Sequence, residues 1–365
     1  MPSTVVAKIG SSSLTDARGI IDRKAIEKLC GEVAATRAAG HRVLVVTSGA
    51  VAAGVAALGL GDRRPVDIIT LQALSAAGQS RLMQVYDEIF DQLGLVGAQV
   101  LLTPYDFIHR SQYLHARRTL ERLLELGCIP VVNENDAIAD DEIRFGDNDR
   151  IAALVAHLVN ADVLVLLTDT EGLFTADPRT DPSARLIEQV DDVDSLEVVL
   201  GGTGSNRGSG GMASKLAAAR IASWSGVRTV IAKADRVNVL ADAIARVPGV
   251  GTVFPPHDRR VPSRKLWIAF AIGAAGRLIV DDGARLALIE RGTSLLPAGV
   301  RKVEGDFSEG DAVEIAGLDG VVFARGLTKV DAATAGSIMG RRTNDLPPGL
   351  SHELVHRDDL VILRS

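Results

Sequence analysis

Six short runs rich in Val, Ile and Leu restrict this chain more than any other feature. They lie at residues 5–9, 42–46, 100–102, 129–132, 163–167 and 228–231. Runs this apolar are strands covered on both faces, the habit of a parallel sheet. Helix-patterned segments alternate with them. In the first, Asp22 stands as N-cap, Ile26, Leu29, Cys30 and Val33 recur at helical spacing, and Gly40 ends the helix. Residues 67–93, stopped by Gly94, and residues 111–126, 150–159 and 212–225 read the same way. Repeated strand–helix units predict an α/β fold with an open, mostly parallel sheet sandwiched by helices. Aromatic residues are only 4% of the chain, so the core must be built from Ala, Val, Leu and Ile, which suits that architecture.

The pattern changes near residue 255. Residues 255–262 are polar and proline-rich, a linker signal, and a short apolar segment at 266–274 follows. From Arg277 onward the runs are short and punctuated by glycine, at 277–280, 300–303, 312–315 and 321–324, which predicts a small, mainly β domain. A chain of 365 residues accommodates two domains. The expected division is residues 1–257 for the α/β domain, 258–275 for a linker with a short helix, and 276–365 for the β domain.

Several classes of protein are disfavoured. The N-terminal MPSTVVAKIG has no basic region followed by a long apolar stretch and reads as a first strand, not a signal peptide. The apolar stretches at 50–60 and 266–275 are too short to span a bilayer, so no membrane association is expected. Cys30 and Cys128 offer neither a disulfide framework nor metal-ligand spacing and read as buried small hydrophobes. Together these features favour a reducing cytoplasm. A net charge of −6 argues against a general nucleic-acid binder, although a few local cations suffice for a small anionic ligand.

Ligands of open α/β sheets bind at the carboxyl ends of the strands. Four segments there carry chemistry. Lys8 stands near the end of the first run, before Gly10-Ser11-Ser12-Ser13. A lysine in an apolar strand is either a solvated edge residue or a partner for an anion, and a Gly/Ser loop can turn N–H groups toward phosphate. No G-x-x-x-x-G-K-S/T loop is present, which excludes a P-loop kinase. Ser48-Gly49-Ala50 follows the second run; Ser48 either caps the next helix or holds an anion at its start. Residues 133–149 carry Asn133, Glu134, Asn135, Asp136, Asp140, Asp141, Glu142, Asp147, Asn148 and Asp149. This is either a solvated acidic loop or a set of carboxylates that need cations, with Asp149 also a candidate helix cap. Last, residues 208–215 form a glycine-rich loop entering a helix with Lys215 on its first turn. A lysine there opposes the helix dipole unless a polyphosphate is bound.

In order, the segments VVAKIGSSSLT, VTSGAVAAG, PVVNENDAIA, FGDND, LLTDTEGLFTADP and GSGGMASKL resemble the amino-acid kinase family, specifically its members that phosphorylate glutamate. The resemblance covers nearly the whole chain. Ser209 stands where a threonine is usual and Phe174 where a tyrosine is common. Acetylglutamate kinase, aspartokinase and uridylate kinase share the fold, but NEND and FGDND point to the glutamate branch. The tail, through GARLALIERGTSLLPAGV, VEGDFSEGDAVEI and ARGL, resembles a PUA domain, a small β-barrel. From Gly276 to Ser365 there are 11 Lys and Arg against 14 Asp and Glu. That balance argues against strong RNA binding and for a structural or regulatory role.

The resemblance implies ATP-dependent phosphorylation of the γ-carboxylate of L-glutamate, the first step of proline biosynthesis, with Mg2+ accompanying ATP and with proline as inhibitor. It implies that Lys8 and Lys215 stabilise the transferring group and that Asp149 holds both lysines. Thr168 and Asp169 would contact the nucleotide, and Ser209, Gly210, Gly211, Met212, Ala213, Ser214 and Lys215 would wrap its phosphates. Ser48, Asp136, Asn148 and Asp147 would bind glutamate. No protein ligand for the metal is assigned. A homo-oligomer is also implied.

Overall fold

In the computed structural model the chain divides into two units, Met1–Arg260 and Val261–Ser365. The structure describes residues 2–16, 20–61, 65, 67–107, 109–138, 148–191, 211–257, 261–266, 268–269, 273–347 and 351–363.

The first unit runs β1 (Thr4–Ile9), α1 (Ser11–Leu14), α2 (Arg23–Ala38), β2 (Arg42–Val46), α3 (Ala50–Ala57), α4 (Ile68–Gln92), β3 (Gly97–Leu102), α5 (Arg110–Glu125), β4 (Ile129–Glu134), α6 (Asn148–Leu158), β5 (Val163–Thr168), α7 (Met212–Trp224), β6 (Arg228–Lys233), α8 (Val239–Ala245) and β7 (Thr252–Phe254). Its seven strands form one sheet in the order β3-β4-β2-β1-β5-β6-β7. All pairings are parallel except the last, where β7 runs against β6. The chain builds outward from β1 in both directions, so the topological switch lies at β1, where ligands of such sheets bind.

Residues of β1, β4 and β5 are buried throughout, as their apolar runs predict. Val5, Ala7 and Ile9 pack into a cluster with Ile26, Leu29 and Val33 of α2, Leu82, Tyr86 and Phe90 of α4, and Val239 and Leu240 of α8. Side chains alternate along a strand. Lys8 therefore leaves β1 on the opposite face, toward α6, which packs on β1, β4 and β5. Asp22 caps α2 as expected, accepting from the Lys24 N–H at 2.9 Å. The sequence pattern does not reveal α8 or β7, both short, nor, in the second unit, the helices Asp282–Arg291 and Ala332–Ile338 and the strand Val355–Ile362.

The segment after β2 is two helices crossing backbone on backbone. A Cβ at Gly54 of α3 would lie 2.0 Å from the Leu74 carbonyl oxygen, and one at Gly78 of α4 would lie 1.9 Å from that of Ala50. Only glycine permits this approach. Cys30 is a buried thiol pushed up to about 12 by burial, as its apolar reading implies.

The second unit runs α9 (Ser263–Leu266), β8 (Gly276–Val280), α10 (Asp282–Arg291), β9 (Val300–Gly305), β10 (Ala312–Ala316), β11 (Val322–Thr328), α11 (Ala332–Ile338) and β12 (Val355–Ile362). Its sheet has the order β12-β11-β10-β8-β9, antiparallel except for β8 beside β10. Leu278, Leu288, Val313, Ile315, Phe323 and Leu360 lie in its separate core. The segment at 258–275 contributes α9, which Arg264 ties to Asp359 of β12 at 2.6 Å. Among the described residues no helix is long and apolar enough to cross a membrane.

Candidate active site

The carboxyl ends of β1, β2, β4 and β5 lie side by side. Lys8 pairs in register with Val46 and Leu166, and Val46 with Val132. Whatever follows these residues in each strand therefore meets at one edge: Ser48 after β2, Asn133 to Asp136 at the end of β4, and Thr168 closing β5.

Asp149 is the centre of the arrangement. One carboxylate oxygen, Oδ1, lies 2.6 Å from Lys8 Nζ; the other, Oδ2, lies 3.3 Å from Lys215 Nζ and accepts from Ser214 Oγ at 2.6 Å. All three charged side chains are buried. Burial alone would push the Asp149 carboxyl up. The Lys8 and Lys215 ammonium groups, with hydrogen bonds from Lys8 and Ser214, override this and bring it down to about 2. The elements explain the convergence. Asn148 and Asp149 open α6, Gly211 caps α7, and Ser214 and Lys215 follow in its first turn. The unfavourable position of Lys215 against the helix dipole is offset by the Asp149 carboxylate facing it.

Asp149 is therefore not a helix cap: α6 begins one residue earlier and the carboxylate is turned toward the lysines. Ser48 is not a cap either. The N-cap of α3 is Gly49 at φ +104°, with no side-chain capping bond. That left-handed residue turns the chain sharply out of β2 and leaves the Ser48 hydroxyl free to accept from Asn148 Nδ2 at 3.1 Å. Asn148 Oδ1 in turn accepts from the Glu134 N–H at 3.1 Å. Ser48, Asn148 and the end of β4 are thus one hydrogen-bonded group.

Asp136 follows in a short 3-10 turn, Asp136–Ile138. Its carboxylate is buried, and Oδ2 accepts from Ser75 Oγ at 2.9 Å. Burial pushes it up to about 6, and the single hydrogen bond from Ser75 does not undo this. Thr168 is buried at the end of β5 and donates to the exposed Asp169 at 3.0 Å. Gly211, Met212 and Ala213 stand at the start of α7, at least partly open to solvent. Asp147, Ser209 and Gly210 lie outside the described residues, as does Phe145 of the FGDND segment. Among the described residues no group of three or more His, Cys, Asp or Glu side chains could hold a metal ion.

The sequence reading missed Ser75 and Gln79. They sit on the buried stripe of α4 with Leu74, Gly78, Leu82, Met83 and Tyr86. A polar pair spaced i, i+4 on an otherwise apolar helical face was the available signal.

This combination of fold and site is that of a phosphotransferase, and the chain belongs to the amino acid kinase family, whose model matches residues 3–233. A PUA domain model matches residues 276–350. Over nearly their whole length the chain is similar to proteins named glutamate 5-kinase. It is 48% identical to that of Frankia casuarinae, covering 98% of this chain and 96% of the relative. It is also 48% identical to that of Thermobifida fusca, covering 99% and 93%, and 44% identical to that of Pelobacter propionicus, covering 98% and 97%. The isopentenyl phosphate kinase of T. acidophilum, at 18% identity and a TM-score of 0.50, covers 69% of this chain and all of its own, and shares the fold.

Proposed function

We propose that this protein transfers the γ-phosphoryl group of ATP to the γ-carboxylate of L-glutamate, forming L-glutamyl 5-phosphate, the first step of proline biosynthesis. The observation that carries this reading is the buried Lys8–Asp149–Lys215 cluster at the carboxyl ends of the strands. The likeness to glutamate 5-kinases over nearly the full chain supports the choice of acceptor.

Two buried ammonium groups around one carboxylate make a net positive site in a water-poor setting, suited to a transferring phosphoryl group. In this reading a γ-carboxylate oxygen of glutamate attacks the γ-phosphorus, the bond from that phosphorus to the β-bridging oxygen breaks, and ADP leaves. The acceptor is already ionised near pH 7, so no general base is needed and no proton moves. Lys8 and Lys215 stabilise charge on the equatorial oxygens from opposite sides, and Asp149 keeps them apart and aligned. Thr168, Asp169 and residues 209–215 hold the nucleotide. Ser48, Asn148, Asp136 and Asp147 hold glutamate, with Asp136 facing the ammonium group.

Both oxygens of Asp149 are engaged by Lys8, Lys215 and Ser214, so its place in this reading is to align the lysines. Mg2+, when bound with the nucleotide, would supply further positive charge to screen the triphosphate. The same reading includes inhibition by proline competing near the glutamate site, a homo-oligomeric state and a cytoplasmic location.

Purified protein with ATP, Mg2+, L-glutamate and hydroxylamine should yield the γ-hydroxamate trapped from glutamyl phosphate. Product with another carboxylic acid and none with glutamate would retain the kinase and discard the substrate. A flat response of the rate to added proline would remove the inhibition.

A further inference from the structure

Two buried polar atoms beside the acceptor group have no partner among the described residues: Asp136 Oδ1 and Gln79 Nε2. The first is an acceptor on a carboxylate, the second a donor. Burying either unpaired costs free energy on the order of a lost hydrogen bond or more. Their orientation follows from a backbone donor. The Glu134 N–H donates to Asn133 Oδ1 at 3.0 Å, which leaves Asn133 Nδ2 as a donor. Asn133 Nδ2 donates to Gln79 Oε1 at 2.8 Å, so the amide nitrogen of Gln79 is the end left over. Likewise Ser75 occupies Asp136 Oδ2, so the open oxygen is Oδ1.

Ser75 and Gln79 stand one turn apart on α4, a Cβ separation of about 5–6 Å. Their helix is held firmly. Gly78 lies against the α3 backbone, and Tyr86 is hydrogen-bonded to Thr47 at 2.9 Å. The site therefore offers an anionic acceptor, held by Ser75, and a neutral donor, on Gln79 one turn further along α4, the chemical complement of the ammonium and carboxylate groups on one amino-acid α-carbon.

We propose that α4 is the element that reads the α-carbon end of the acceptor: Gln79 Nε2 donates to the substrate α-carboxylate, and Ser75 is a positioning residue that turns Asp136 Oδ1 toward the ammonium group. The inference rests on the glutamate-phosphorylating reading and names two residues which that reading does not use. The substrate class becomes a free α-amino acid with a side-chain carboxylate. N-acylated acids and simple diacids fit poorly.

The test compares Gln79→Glu with the native protein on L-glutamate and on L-isoglutamine, which keeps the γ-carboxylate but carries an α-amide. The variant keeps the oxygen that Asn133 needs and replaces the donor by an acceptor. The ratio of kcat/KM for glutamate over isoglutamine should fall roughly 10–100-fold, as expected for removing one hydrogen bond to a charged group, while KM for ATP stays within twofold. Equal losses on both substrates would overturn the proposal, because a merely structural defect does not distinguish them. Ser75→Ala gives an independent readout: the preference for glutamate over glutarate, which lacks the ammonium group, should fall about tenfold, and Ser75→Thr should restore part of it. An unchanged preference in Ser75→Ala would remove the positioning role. If the native protein phosphorylates neither acid, the parent reading fails instead, so the two failures are distinguishable.

Discussion

Asp149 in the first unit and Asp359 in the second each sit between two cations, and they differ in what surrounds them. Asp149 lies between Lys8 and Lys215, with side-chain exposures of 1%, 4% and 6%. Asp359 lies between Arg264 at 2.6 Å and Lys329 at 3.2 Å; it is also buried, at 7%, but its cations are 52% and 41% exposed. Water pays most of the solvation of the second pair, so that cluster is an inexpensive tie between α9 and β12. The first takes two ammonium groups out of water, at several kcal/mol each before compensation. A fold that needed only a tie would not place one there. A site that receives a polyanion gains from it.

Asp149→Asn should break this contrast most severely. Both lysines lose the charge that aligns them, and turnover should fall by about 10³-fold or more in the hydroxamate assay, since two transition-state donors are displaced together. Lys8→Ala removes one donor and should lower turnover by roughly 10²–10³-fold. An undiminished rate in Lys8→Ala would discard the lysine clamp.

pH separates the two acidic groups of the site. Asp149 is held at about 2 against an ordinary 3.8, so its contribution to stability is complete above about 4 and is lost only as pH falls through 2. Asp136 is shifted the other way, to about 6. The folded, ligand-free protein keeps that proton more tightly than the unfolded chain, so stability falls as pH rises from about 4 to about 6 and then levels off. If the ionised Asp136 pairs with the substrate ammonium, KM for glutamate should rise about tenfold between pH 7 and pH 5. In Asp136→Asn that rise should vanish on a uniformly weaker KM, with ATP dependence unchanged. A profile the same in both proteins would assign the titration elsewhere.

Asp359→Asn should have the smallest effect. Loss of a partly solvated tie lowers stability by about 1 kcal/mol, a shift of a few degrees in melting temperature. Turnover should stay within twofold. A large loss of activity would show that the second unit's tie reaches the chemistry and would erase the comparison.

Much of the site was legible from residue order. Lys8, Ser48, Asp136, Asn148, Asp149, Thr168 and Lys215 all follow or end predicted strands or open predicted helices, and that is where anion-binding groups belong in an open α/β sheet. Ser48 and Asp149 were also legible as helix caps, because capping preference concerns only a few neighbouring residues. The turn at Gly49 and the early start of α6 removed both roles. Ser75 and Gln79 were hidden inside a long helical pattern, where a polar residue has no local reason to be functional.

The periodicity of the chain by itself determined most strands, most helices and the alternation that sends Lys8 to the face of β1 opposite Val5, Ala7 and Ile9, since these depend on backbone preferences and on which side must be buried. It also determined that the tail is a separate β unit. Only the tertiary structure decided that the first turns of α6 and α7 meet, so that Asp149 is shared between two lysines, one of them in a helix 66 residues further along. Only it decided that α4 passes close enough over α3 for Ser75 to reach Asp136, 61 residues away. Both contacts come from packing between distant segments, the second helped by two glycines whose missing side chains let α3 and α4 approach, and no local pattern carries that distance.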